Sequence, residues 1–151
     1  TNSSEKNAFF YVSSSEWNLY RFLVKFTEIH NLPKAVLLLK DIKTSLSNFL
    51  WSGRGEHNHK FEKIKHILEF YPDLEYVLLG DDSQHDPYLY ESISKIFPLT
   101  VKAIYIRQTG KSKKKKVIDT LENIASLNVS VCYFESSATA IAHSKEIGLI
   151  K

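Results

Sequence analysis

Methionine does not occur in this chain, and cysteine occurs once, at Cys132. A chain without an initiating methionine reads as a processed or partial product, so a segment ahead of Thr1 is expected. One cysteine excludes an intramolecular disulfide and favours a reducing compartment. Long hydrophobic runs are missing too. The aliphatic run "AVLLL" at 35–39 falls far short of the roughly 20 residues that a membrane-spanning helix needs, and no signal-peptide pattern is present. Nor does one sign of charge dominate. Lys and Arg number 20 against 17 Asp and Glu, a net +3 that does not call for a nucleic-acid partner.

What is present suits a globular domain. Hydrophobic residues make up 43% of the chain and charged ones 25%. A length of 151 residues is enough for a single domain over 1–151 that buries about two-thirds of its unfolded surface. One local charge excess stands out, "KSKKKK" at 111–116. It reads as a solvated loop or, through Lys113–Lys116, as a contact with an anionic surface such as lipid headgroups.

Hydrophobic spacing predicts five strand–helix units. Strands are expected at 7–12, 35–40, 75–80, 101–107 and 129–134. Helices are expected at 16–30, 60–71, 87–97, 116–127 and 137–148. Ser15 sits where an N-cap belongs, and Pro87 suits the first turn of its helix. Residues 43–58 are the least regular stretch and read as an excursion or lid, whose Phe49 and Trp51 touch lipid, cover the pocket or pack on the core. Apolar strands alternating with helices predict an α/β architecture, a doubly wound and mostly parallel sheet in three α/β/α layers.

In such a sheet, ligands bind beyond the carboxyl ends of the strands. Those ends carry Ser13 and Ser14, Asp41, Asp81 and Asp82, Arg107, and Glu135, a rim suited to an anionic ligand held with a metal. In "GDDSQHD" (80–86), Gly80 lets the backbone turn sharply, and Asp81 and Asp86 offer oxygen ligands to a hard cation such as Mg²⁺. Asp86 could equally cap the next helix, and Asp82 could be a turn residue. Lys60, read as opening its helix, stands where the helix dipole disfavours a cation, which hints at a task for it. His57 and His59 lack further ligands at zinc-site spacing.

These residues, in this order, resemble the haloacid dehalogenase (HAD) superfamily of aspartate-nucleophile phosphatases. Ser13 in "FFYVSSS" matches the second motif, Lys60 in "HKFEKI" the third, and Asp81 and Asp86 in "GDDSQHD" the acidic fourth. The text "FYVSSSEWNLYRFL", "LPKAVLLLKD", "HKFEKIKHILEFYPDLEYVLLGDDSQHDPYLY" and "VKAIYIRQ" is more closely similar to the catalytic domain of the actin-patch phosphatidate phosphatases, relatives of the lipins, over roughly residues 8–108. Asp82 stands where that family has a small residue, and Ser14 where asparagine is common. The first motif, a "DxDxT" strand with the nucleophile, does not occur, so the resemblance implies a strand ahead of Thr1.

The resemblance implies a Mg²⁺-dependent hydrolysis of phosphatidate through an aspartyl-phosphate. Asp81 would ligate the metal with support from Asp86 and Asp82. Ser13 and Ser14 would hold phosphoryl oxygens, Lys60 would offset charge at the transferring group, and Arg107 would make a phosphate contact or a salt bridge. A cytoplasmic protein, peripheral at membranes, is expected. Two other readings stay open: a non-catalytic Rossmann-like module that holds anionic lipid, and a HAD phosphatase acting on a soluble phosphate ester.

Overall fold

The computed structural model describes residues 7–40, 56–111 and 114–151, and the chain divides into two compact units, 2–66 and 67–151. In the first unit, β1 (Phe10–Glu16) and β2 (Val36–Lys40) pair in parallel, from Phe10 opposite Val36 to Glu16 opposite Lys40. A single 3₁₀ turn (Trp17–Leu19) and helix α1 (Tyr20–Ile29) connect them. Asn31, at φ 50°, ends the helix in the left-handed conformation that its short polar side chain tolerates. The Leu32 amide then returns to the Thr27 carbonyl at 2.9 Å.

The ladder slips between Val12 and Glu16, where four steps along β1 answer two along β2. The serines at 13–15 occupy this bulge, and the Ser15 amide donates to Ser13 Oγ at 3.1 Å. Ser15 is therefore a strand residue and not the expected N-cap, because β1 runs four residues further than its apolar segment. Helix α2 (Glu56–Phe70) starts earlier than expected, so Lys60 lies in its second turn and the dipole argument no longer applies to it. Of the lid expected at 43–58, residues 43–55 lie outside the described set and 56–58 are helical.

In the second unit, β3 (Tyr76–Asp81), β4 (Val101–Arg107) and β5 (Ser130–Phe134) form a parallel sheet in that order. Helices α3 (Asp86–Ile96) and α4 (Lys115–Ala125) are the crossovers. The right-handed sense of βαβ connections puts both on one face. There Ile104 and Ile106 are fully buried, as are Ile93 of α3 and Ile124 of α4.

On the opposite face, α5 (Ser137–Glu146) and the residues after it bring Ala140, Ile147 and Leu149 against Ala103, Tyr105 and Cys132. Ser136 caps that helix by accepting from the Thr139 amide. The Tyr105 hydroxyl meets Ser144 Oγ at 2.7 Å and His143 Nδ1 at 3.0 Å. With both faces covered, β4 can be apolar almost throughout. The fold is α/β and Rossmann-like, with parallel strands flanked by helices; each expected strand and helix is present, β4 with the expected bounds and the others with one or both ends displaced. Among the described residues, no helix is long and apolar enough to cross a membrane.

Candidate functional site

Asp81 ends β3 opposite Arg107, which ends β4 with its side chain exposed. The Asp82 amide extends the ladder one step further, donating to the Arg107 carbonyl at 3.0 Å. Asp81 Oδ1 accepts from the Ser83 amide at 2.8 Å and the Ser83 hydroxyl at 2.5 Å, a turn held by the side chain. Its carboxylate is thus fixed at the rim and half-buried.

Gly80, the residue before Asp81, lets the second carboxylate approach the end of β3. A Cβ at Gly80 would lie 2.8 Å from Asp86 Cβ, 2.9 Å from Asp86 Oδ2 and 3.0 Å from Tyr90 Cε2. No larger residue fits there unless the first turn of α3 shifts. Asp86 does not cap that helix, because His85 holds the cap position. Instead it lies in the first turn, where the helix dipole favours its charge, with Pro87 beside it.

Tyr90, one turn further on, is buried and donates its hydroxyl to the Leu79 carbonyl at 2.7 Å. Burial pushes its pKa up, and the charges of Asp86 and Asp81 push it higher, so both carboxylates act on one ring. Tyr90 is not marked by any motif in the sequence. Its signal was the spacing of four from Asp86, which puts both on one helix face.

Asp82 faces elsewhere. It is 3% exposed, and Oδ1 accepts from both the amide (3.0 Å) and the hydroxyl (2.5 Å) of Thr109. Oδ2 accepts from the Tyr133 hydroxyl at 2.5 Å. Lys114 Nζ lies 3.5 Å from Oδ1 and donates to the Asp82 carbonyl. Burial alone would raise the pKa of this carboxyl, but the bonds from Thr109 and Tyr133 and the Lys114 charge outweigh it and hold the group at about 2. Lys114, the first described residue of the 113–116 lysine run, is thereby tied to the rim; Lys113 lies outside the described residues.

Asp81 and Asp86 are oxygen donors suited to a hard cation. Among the described residues, no three His, Cys, Asp or Glu side chains converge. A pair still fits Mg²⁺, which is commonly held by one or two carboxylates with waters and substrate phosphate. In the other unit, Ser13 is half-buried in the β1 bulge, Ser14 is exposed beside it, and Lys60 is half-buried on α2. Lys63, one turn along, donates to the Leu39 carbonyl near the end of β2 at 2.5 Å.

Residues 1–108 match the family described as phosphatidate phosphatase APP1, catalytic domain. The chain belongs to this family. It is 28% identical over 125 residues to the phosphatidate phosphatase APP1 of Saccharomyces cerevisiae, a similarity covering 79% of the chain and 21% of the yeast protein. The chain thus spans about a fifth of the length of that relative. No solved structure matches it. The match to the APP1 family includes Ser13, Ser14, Lys60, Asp81, Asp82, Asp86 and Arg107 but ends at residue 108, so the partners of Asp82 at 109, 114 and 133 lie past it.

Proposed function

We propose that this domain takes part in hydrolysing phosphatidate to diacylglycerol and phosphate, with Mg²⁺ and an aspartate nucleophile. The observation that carries the reading is the seating of Asp86 against Gly80 beside Asp81, in a chain of the APP1 catalytic family. The nucleophile would be the aspartate of the HAD first motif, a "DxDxT" pattern that does not occur in these 151 residues.

Its carboxylate attacks phosphorus, and the bond to the diacylglycerol oxygen breaks. A second aspartate protonates that oxygen and then takes a proton from the water that cleaves the aspartyl-phosphate. Bound Mg²⁺ would offset the repulsion between the anionic nucleophile and the anionic phosphate. Asp81 and Asp86 would hold the cation through their oxygens. Tyr90, anchored on Leu79, keeps Asp86 at its distance from the strand end. Asp82, its oxygens engaged by Thr109 and Tyr133, serves as a tie that steadies the loop carrying Asp81.

Ser13 and Ser14 in the β1 bulge hold phosphoryl oxygens, Lys60 balances charge on the transferring group, and Arg107 contacts phosphate at the rim. The lysine run at 113–116, of which Lys114 is held at Asp82, would add positive charge for anionic headgroups, with the domain in the cytoplasm and peripheral at the membrane.

The test is phosphate release from phosphatidate in mixed micelles by the intact protein that contains this chain. Turnover should require Mg²⁺, stop with a chelator, and be nearly abolished by Asp81→Asn without loss of helical circular dichroism. Wild-type turnover in that variant would overturn the metal assignment. Hydrolysis of soluble esters alone would overturn the substrate. Vesicle binding with no turnover would favour the non-catalytic lipid-binding module.

A further inference from the structure

Among the described residues, helix α1 carries more apolar surface than its own unit covers. Leu23, Val24 and Thr27 form one half-buried face. A second stripe, Leu19, Phe22, Phe26 and Ile29, recurs at steps of three, four and three, the spacing that aligns side chains along a helix. These four are 44%, 65%, 44% and 65% exposed. Scattered exposed apolar residues are ordinary, but a contiguous stripe with aromatic members marks an interaction surface.

The charges bordering the stripe are mostly basic. Arg21 and Lys25, one turn apart and both exposed, line one edge, and Lys34 follows the helix; Glu28 is the single acidic residue from 17 to 34. Trp17 and Tyr20 stack at the amino-terminal end with centroids 5.6 Å apart and both rings partly exposed. Rings with an apolar body and a polar edge suit the headgroup level of a bilayer. An apolar stripe with basic borders and aromatic residues at one end is the pattern of a helix lying in a membrane interface.

We infer that α1 docks this domain on an anionic bilayer, with Leu19, Phe22, Phe26 and Ile29 entering the headgroup–acyl boundary and Arg21 and Lys25 meeting lipid phosphates. The inference rests on the proposed function, since phosphatidate is itself an anionic lipid of such a surface. It concerns a separate element from the lysine run at 113–116.

The experiment is co-sedimentation of the intact protein with phosphatidylcholine vesicles, with and without phosphatidylserine, alongside hydrolysis of para-nitrophenyl phosphate. The double variant Phe22→Glu, Ile29→Glu should lower partitioning at least tenfold, with soluble-ester turnover unchanged. The pair Arg21→Gln, Lys25→Gln keeps the stripe and should weaken binding to phosphatidylserine vesicles about tenfold or more while sparing neutral ones. The charge pair decides the matter should the glutamate variant fail to fold.

Wild-type partitioning in both variants overturns the inference. So does a fall in sedimenting mass with vesicle binding intact, which would assign the stripe to a second copy of the chain. Loss of vesicle binding in the variants of a wild type that hydrolyses neither ester nor phosphatidate would uphold the docking helix and refute the proposed function.

Discussion

Tyr133 donates its hydroxyl to Asp82 Oδ2 at 2.5 Å, joining residues 51 apart in the chain. Asp82 follows β3 and Tyr133 lies on β5, so this bond passes over the carboxyl end of β4, which lies between them in the sheet. Thr109, just past β4, donates to the other oxygen. One buried carboxylate therefore ties the carboxyl ends of all three strands together at the rim.

Tyr133→Phe keeps the ring and removes the donor. Because the bond is to an ionised, buried group, the loss should destabilise the domain by about 1.5–3 kcal/mol. Urea unfolding at neutral pH measures it, and an unchanged midpoint and slope would show that the bond adds nothing in solution.

Acid should release the same tie. The Asp82 carboxyl is lowered from its usual 3.8 to about 2 in the folded protein. A depressed folded pKa contributes stability that is fully present above about pH 4 and is lost as pH falls through about 2. The contribution is on the order of 2 kcal/mol, at roughly 1.4 kcal/mol per pKa unit. In chelator-treated protein, Asp82→Asn should be less stable at pH 7 yet lose less on going from pH 4 to pH 2 than the wild type. Parallel acid limbs for the two proteins would refute this.

Gly80→Ala tests how closely β3 and α3 approach. The added methyl would meet Asp86 Cβ at 2.8 Å, a contact that the backbone of α3 must relieve. Overpacking of this kind costs about 1–3 kcal/mol. The change should also move Asp86 from Asp81, so Mg²⁺-dependent turnover should fall and more Mg²⁺ should be needed for half-maximal rate. A normal melting temperature with a normal Mg²⁺ titration would mean that Asp86 is not held there.

Hydrophobic patterning alone was enough for the five strand–helix units, because buried parallel strands must be apolar and each helix must bury a face. It also located Asp81, whose place after an apolar strand follows from chain order. Element ends were less legible. The serine bulge depends on how β1 registers against β2, and α2 begins four residues ahead of Lys60 in a stretch with little apolar periodicity.

Asp82 marks the limit of what the sequence could decide. Beside Asp81 in "GDD", it reads as a turn residue or an added metal ligand, since neighbours in a strand end are equivalent on paper. The pleat turns successive side chains to opposite sides. One carboxylate is left at the rim, and the other is driven inward to donors from residues 109, 114 and 133. Those partners are remote in sequence, and only the packing of three strands brings them to one carboxylate. The same holds for α1. Its apolar residues are visible in the sequence, but which of its two stripes packs within the unit and which remains in contact with water is set by tertiary structure alone.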